Sequence, residues 1–246
     1  MFIIGLAVGS FLNVVIYRID DLKSIVNTRS HCRHCKKNIP WYDLVPVLSF
    51  VLLRGRCRSC KKTISWQYPL VELSTAIIFA LLAWYFGQYW LVGLYALIFS
   101  ILVVVFVYDI KTQYVLDVFS WSLVILSLVT GLIFFRYHPI DVLWGVIAGG
   151  AVLGLLVAIS KEKWMGLGDV FIGASLGAIL GGQKALLMIF LSFIIGSVYG
   201  LFLMLLKRTS IKQSLPFTPF IIISSLISLL AGDYILSWYL GYIYMY

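Results

Sequence analysis

Eight apolar runs divide this chain, at about 1–17, 69–86, 89–108, 114–135, 139–160, 169–181, 184–206 and 215–231. Most reach the length of about 17–23 residues that an α-helix needs to cross roughly 30 Å of hydrocarbon. The sixth is short, and the aromatic tail 232–246 can extend the eighth, so the count of eight is good to about one. Polar residues collect at the ends of the runs and in one block, 18–68. The pattern predicts an all-α polytopic membrane protein with about eight transmembrane helices. A first helix at 1–17 is followed by a small cytosolic insert at 18–68 and a helical membrane domain at 69–246. The first run has no basic residue ahead of it and no small-residue cleavage site, which reads as a retained anchor rather than a signal peptide.

Composition excludes a soluble domain. Of 246 residues, 62% are hydrophobic and 12% charged, and mean hydropathy is +1.01. Charge then orients the bundle. Eleven of the nineteen Lys and Arg residues fall in 18–68. Threading eight spans from an outside N-terminus puts Lys111, Lys161, Lys163, Lys207, Arg208 and Lys212 on the same side, and only Arg136 and Lys184 opposite. A 17-to-2 split places the insert in the cytosol of a cell-membrane protein. The net charge of +9 orients the chain and attracts anionic headgroups of the lipid bilayer; it needs no nucleic acid to explain it.

That placement decides how the cysteines read. All four lie in the insert, Cys32 and Cys35 in CRHC and Cys57 and Cys60 in CRSC. A reducing cytosol disfavours two structural disulfides. Two C-x-x-C pairs about twenty residues apart match a tetrahedral zinc site, each pair forming one knuckle. Neighbouring Arg33, Lys36, Arg58 and Lys61 favour thiolates. Four sulfurs leave no open coordination position, so such a metal is structural. His31 and His34 are alternative ligands beside the first knuckle. Between the knuckles, WYDLVPVLSFVLL at 41–53 is too short and too interrupted by Asp43 and Pro46 to span; it is expected at the interface or against the bundle. In the run at 139–160, Gly145, Ala148, Gly149, Gly150, Ala151 and Gly154 would let a neighbouring helix approach closely.

The remaining question is the carboxylate in Gly-Leu-Gly-Asp-Val, 166–170, between two apolar runs. Asp169 falls at the cytosolic start of the sixth run and Asp109 at the cytosolic end of the third, on one face and at one depth. A charge near lipid costs several kcal/mol unless it is used or paired. Gly166 and Gly168 would let backbone close on whatever Asp169 faces. Two readings stand. In one, Asp169 caps a helix and Asp109 pairs with Lys111. In the other, two carboxyls about 3 Å apart share a proton. One then activates water as a general base while its protonated partner polarises a peptide carbonyl and later protonates the leaving amine. That is aspartyl proteolysis, with water supplied by a cavity open to the cytosol.

The segment SHCRHCKKNIPWYDLVPVLSFVLLRGRCRSCKKTISWQYPLVEL resembles the cytosolic insert of type IV prepilin peptidases. YDIKTQYVLD and GLGD resemble their two aspartate motifs, and the opening GLAVGSFLNVVIYRI fits as well. The resemblance covers almost the whole chain. It implies a GxGD intramembrane aspartyl protease that removes the cytosolic leader of prepilins or pseudopilins, with Asp109 and Asp169 as catalytic pair. Many members also N-methylate the new N-terminus from S-adenosylmethionine, an activity that no nucleotide motif in this chain indicates independently. The chain departs from the family pattern twice. Val115-Leu116-Asp117 stands where Leu-Pro-Asp is common, and Phe171 where a lysine is common. Asp117 is expected to support the site from outside the pair. Glu72, in YPLVEL, is either an interfacial charge or a residue that shapes the site. A compact chain also suits a cell building a competence pseudopilus, by analogy only. An inert assembly factor of the same fold and a polytopic transporter are the rival readings; the latter would want midplane charges and repeated halves, which are not seen.

Overall fold

The computed structural model describes residues 1–19, 28–134, 138–206 and 215–243. Eight apolar helices account for most of them: α1 (Phe2–Tyr17), α2 (Gln67–Phe86), α3 (Tyr89–Thr112), α4 (Asp117–Phe134), α5 (Pro139–Ser160), α6 (Leu167–Leu180), α7 (Gly182–Leu205) and α8 (Thr218–Ile243). Six are long and apolar enough to cross a membrane; α1 and α6 are the shorter two. Large apolar side chains point outward along them, with Trp84, Phe190 and Leu205 each more than 60% exposed. Such a surface is stable against lipid, not water. The eighth helix runs past 231 to Ile243, so the aromatic tail does extend it. Of the basic residues that orient the bundle, Lys23, Arg136, Lys207, Arg208 and Lys212 lie outside the described residues.

The chain forms two compact units, Met1–Val107 and Tyr108–Tyr246. In the first, α1 lies against α2 through glycines: a Cβ at Gly5 would stand 2.6 Å from Ala76 Cα, and one at Gly9 2.7 Å from Glu72 Cα. Buried Asn13 ties the two together, donating to the carbonyls of Gly9 and Tyr68 at 3.3 and 3.1 Å and accepting from Gln67 Nε2. The insert follows α1. Within 41–53 it has a 3-10 turn at Trp41–Leu44 and a short helix at Leu48–Leu52, with Trp41 and Leu52 largely exposed.

In the second unit α6 is the central element. It touches α4, α5, α7 and α8, and nine of its fourteen residues are buried. Its length of about 21 Å falls short of the hydrocarbon core. A helix jacketed by protein need not reach both lipid faces, which explains why the sixth apolar run is short. The small residues of α5 meet a matching row on α6. A Cβ at Gly145 or Gly149 would overlap the carbonyl of Gly177 or Gly173, and the reverse substitutions would overlap α5. This is close packing of the small-xxx-small kind. Near the start of α7, Lys184 Nζ pairs with Asp233 Oδ2 of α8 at 2.7 Å.

Candidate functional site

Both aspartates of interest belong to the second unit. Asp109 sits in the last turn of α3, and Asp169 is the third residue of α6, whose N-cap is Gly166. Gly166 is extended there, and the Asp169 carboxylate reaches back to its backbone N–H, as the third residue of a capping box does. Gly168 answers a different need. A Cβ on it would come 2.8 Å from Val115 Cβ, so glycine lets the segment before α4 lie directly on the start of α6.

The two carboxylates are brought together. Each is buried, with Asp109 4% and Asp169 8% exposed, and Asp109 feels the charge of Asp169 directly. Thr218, fully buried at the start of α8, donates its hydroxyl to Asp169 Oδ1 at 2.6 Å, and the same hydroxyl acts on Asp109. Asp109 Oδ2 is buried and takes no hydrogen bond among the described residues. The capping reading is therefore part of the truth about Asp169 but does not exhaust it. A helix end, a hydroxyl and a second carboxylate converge on one point, and one oxygen there is uncommitted.

Sequence reasoning missed Thr218. The signal was present in Phe-Thr-Pro-Phe, 217–220, where a threonine before a proline reads as a helix N-cap and nothing more. Asp117 is not part of the cluster. The chain leaves the helix at Thr112, passes Gln113 in a left-handed conformation (φ 54°) and restarts at Asp117, which is exposed in the first turn of α4. Phe171 packs its ring against Trp121 of α4, centroids 5.3 Å apart.

The cysteines form a second cluster, in the first unit. Their four Sγ atoms lie within 4.8 Å of one another, and Cys32 Sγ is 3.8 Å from Cys60 Sγ. A tetrahedron with Zn–S arms of about 2.3 Å has edges of about 3.8 Å, so the donor set fits zinc. The two knuckles repeat one geometry. Lys36 N–H donates to Cys32 O and Cys32 N–H to Lys37 O; Lys61 and Cys57, then Cys57 and Lys62, do the same. Lys36 and Lys61 each take positive φ to close the turn. Burial pushes the Cys32 thiol up, but the backbone N–H groups of Cys35 and His34 together with the Cys57 and Cys35 thiols outweigh it and draw it down to about 6. His31 and His34 are exposed and stand outside the cluster; His31 Nδ1 faces the Arg29 carbonyl instead. Arg58, between the second pair of cysteines, grips Asp43 with two hydrogen bonds of 2.7 and 2.8 Å.

Glu72 shapes the first unit and is not a bare interfacial charge. Buried in α2, it accepts the Val47 N–H at 2.7 Å, and the Ser10 hydroxyl faces it too. Val47 takes φ 59°, an uncommon conformation for a β-branched residue, so the contact pins a strained turn of the insert to the membrane helix.

Residues 3–86 match the family model described as Bacterial Peptidase A24 N-terminal domain, and residues 96–201 the one described as Type IV leader peptidase family. Among similar proteins, the prepilin leader peptidase/N-methyltransferase of Stutzerimonas stutzeri is 31% identical over 98% of this chain and 92% of its own length. The chain belongs to the type IV leader peptidase family. Proteins of the same name from Pseudomonas aeruginosa (31% identical, 98% of this chain, 92% of the relative) and Bacillus subtilis (34%, 98% and 96%) agree in extent. No solved structure matches the chain. In this family member, both aspartates fall inside the leader peptidase match and all four cysteines inside the N-terminal one.

Proposed function

We propose that this chain is an intramembrane aspartyl endopeptidase that removes the leader of type IV prepilins or pseudopilins, with Asp109 and Asp169 as its catalytic pair. The observation that carries the reading is the convergence of two buried carboxylates on one threonine hydroxyl, with Asp109 Oδ2 uncommitted. Asp169, which accepts Thr218 Oγ1–H and the Gly166 N–H at a helix N-terminus, is the partner that carries the charge. It takes a proton from water. Asp109 holds the shared proton, gives a hydrogen bond to the scissile carbonyl through Oδ2, and the pair then passes a proton to the leaving amine. The site works near the cytosolic face of the cell membrane, and 69–246 carries the peptidase.

The Cys32, Cys35, Cys57 and Cys60 cluster holds one structural zinc in this reading. Four thiolates saturate the metal, so its contribution is to fold the insert. The relatives' name adds N-methyl transfer, which we carry to this chain as a second activity with S-adenosylmethionine as methyl donor. One experiment reads both. Co-expression with a prepilin, followed by mass measurement of the product's N-terminus, should show loss of the leader and gain of one methyl group. An uncut product under conditions where the protein is folded in the membrane would overturn the proposal.

A further inference from the structure

An apolar groove of about 940 Å³ runs between the short helix Leu48–Leu52 and the start of α2. Val47, Phe50 and Val51 line it from the insert, and Trp66, Leu70 and Leu73 from the α2 side. The Phe50 and Trp66 rings meet with centroids 5.0 Å apart. Much of the lining is open: Val51 is 63%, Trp66 71% and Leu70 61% exposed. Leu48 and Leu52 share the face of the short helix that carries Val51 and are exposed too. A contiguous apolar patch of this kind marks a docking surface. It does not stop at the insert. Leu70, Leu73, Ile77 and Trp84 recur at helical spacing and make one exposed stripe along α2. Arg54 and Arg56 also line the groove. Both are exposed, and no carboxylate pairs with either among the described residues. The turn that carries them is fixed locally. Arg54 and Gly55 take φ 51° and 66°, the Gly55 N–H donates to Phe50 O at 2.8 Å, and Gly55 O accepts from the Ile64 N–H at 2.7 Å.

We infer that this groove holds one anionic phospholipid, its phosphate between Arg54 and Arg56 and an acyl chain against Val51, Leu70 and Leu73. The inference stands apart from the peptidase reading. An acyl chain matches the apolar walls and continues down the α2 stripe without meeting water. A phosphodiester matches the arginines, whose planar forks pair with phosphate oxygens. Free phosphate would satisfy the arginines and leave the walls in water. An apolar helix of another protein would cover the walls and leave two cations without a counter-charge. A zwitterionic headgroup brings its own cation beside the phosphate, so basic side chains favour a headgroup with net negative charge. The consequence is mechanical. The insert is held to the membrane domain twice, by lipid at Arg54 and Arg56 and by the Glu72 carboxylate at the Val47 N–H.

The test titrates the full chain in detergent with phosphatidylglycerol or phosphatidylcholine and counts bound lipid by native mass spectrometry. Wild type should hold one phosphatidylglycerol at least about tenfold more tightly than phosphatidylcholine. Arg54→Gln with Arg56→Gln should weaken phosphatidylglycerol about ten- to thirtyfold and move phosphatidylcholine by less than about twofold. Lys161→Gln with Lys163→Gln removes the same charge from exposed positions of the second unit and should change neither. Equal affinity for the two lipids, or equal loss in the two double variants, overturns the inference. Because the arginine variants can also disturb the turn, the occupant is identified separately in a chain that keeps both arginines. Leu70→benzoylphenylalanine is photolysed in nanodiscs of phosphatidylcholine with a minor share of phosphatidylglycerol, with prepilin added, and the adduct is weighed. Trp84→benzoylphenylalanine, farther along the same stripe, reports the bulk lipid. Enrichment of phosphatidylglycerol at Leu70 over Trp84 supports the site. The same lipid ratio at both positions overturns it, as does an adduct at Leu70 with prepilin or with a second copy of the chain.

Discussion

Thr218→Val removes one hydroxyl from a fully buried side chain and leaves its shape nearly unchanged. What is lost is the 2.6 Å hydrogen bond to Asp169 Oδ1 and the same hydroxyl's influence on Asp109. Hydrogen bonds to charged groups are worth about 1.5–3 kcal/mol, and each 1.36 kcal/mol is a tenfold change in rate. If Thr218 orients the carboxylate that takes the proton from water, kcat for leader cleavage should fall about 10–100-fold. KM should hardly move if the hydroxyl serves only the two carboxylates. Thr218→Ser keeps the hydroxyl and should recover most of the rate. The assay is single-turnover cleavage of a purified prepilin in nanodiscs, with thermal unfolding measured alongside. Cleavage by Thr218→Val at the wild-type rate would refute the role given to this residue. A parallel loss in Thr218→Ser would point to packing instead.

Three further outcomes are expected. The purified chain should carry about one zinc, and Cys32→Ser or Cys60→Ser should lower metal content and speed proteolysis within 30–62, read by metal analysis and peptide mapping. Gly177→Leu should cost at least about 1–3 kcal/mol, seen as a lowered unfolding temperature, because its side chain would overlap the Gly145 carbonyl; Gly154→Ala, facing only Val170 Cγ1 at 3.7 Å, should be tolerated. The hydrogen bonds from Arg58 hold the Asp43 carboxyl below its usual range, so the stability this pair lends the insert is present above the unfolded value of about 3.9 and is lost as pH falls through the native one. Amide protection factors (corrected for the intrinsic exchange rate at each pH) across 40–56 should be flat from neutral pH to about 5 and should fall below about 4, and Arg58→Ala should lessen that fall.

The helices were legible because lipid demands long apolar runs with every backbone group paired inside them, and a run of that kind shows in one dimension. The cysteine cluster was legible for a related reason: two C-x-x-C pairs carry most of a tetrahedron's geometry in their spacing. The glycine row on α5 announced a close neighbour but could not say which helix it was; α6 carries the matching Gly173 and Gly177. Threading put Asp109 and Asp169 on one face and at one depth but left open whether they meet. Thr218 was not legible, because its contact joins residues 49 apart in sequence and depends on how α8 enters the bundle. Asp117 was expected outside the pair; what the sequence did not show is the left-handed turn at Gln113 that separates its helix from that of Asp109, which only backbone conformation could reveal. Glu72 carried two readings in sequence because nothing in YPLVEL announces a hydrogen bond to Val47 across the insert.

The central claim is that two carboxyls act as one acid–base unit. Asp109→Asn and Asp169→Asn each replace a carboxyl with an amide of nearly the same size, so the helices that carry them should still assemble. The most direct measurement is the mass of prepilin incubated with each purified variant in nanodiscs, beside wild type. The account predicts full-length prepilin with both variants and a leaderless product with wild type, at matched unfolding temperatures. A leaderless product from either variant at near the wild-type rate would contradict it.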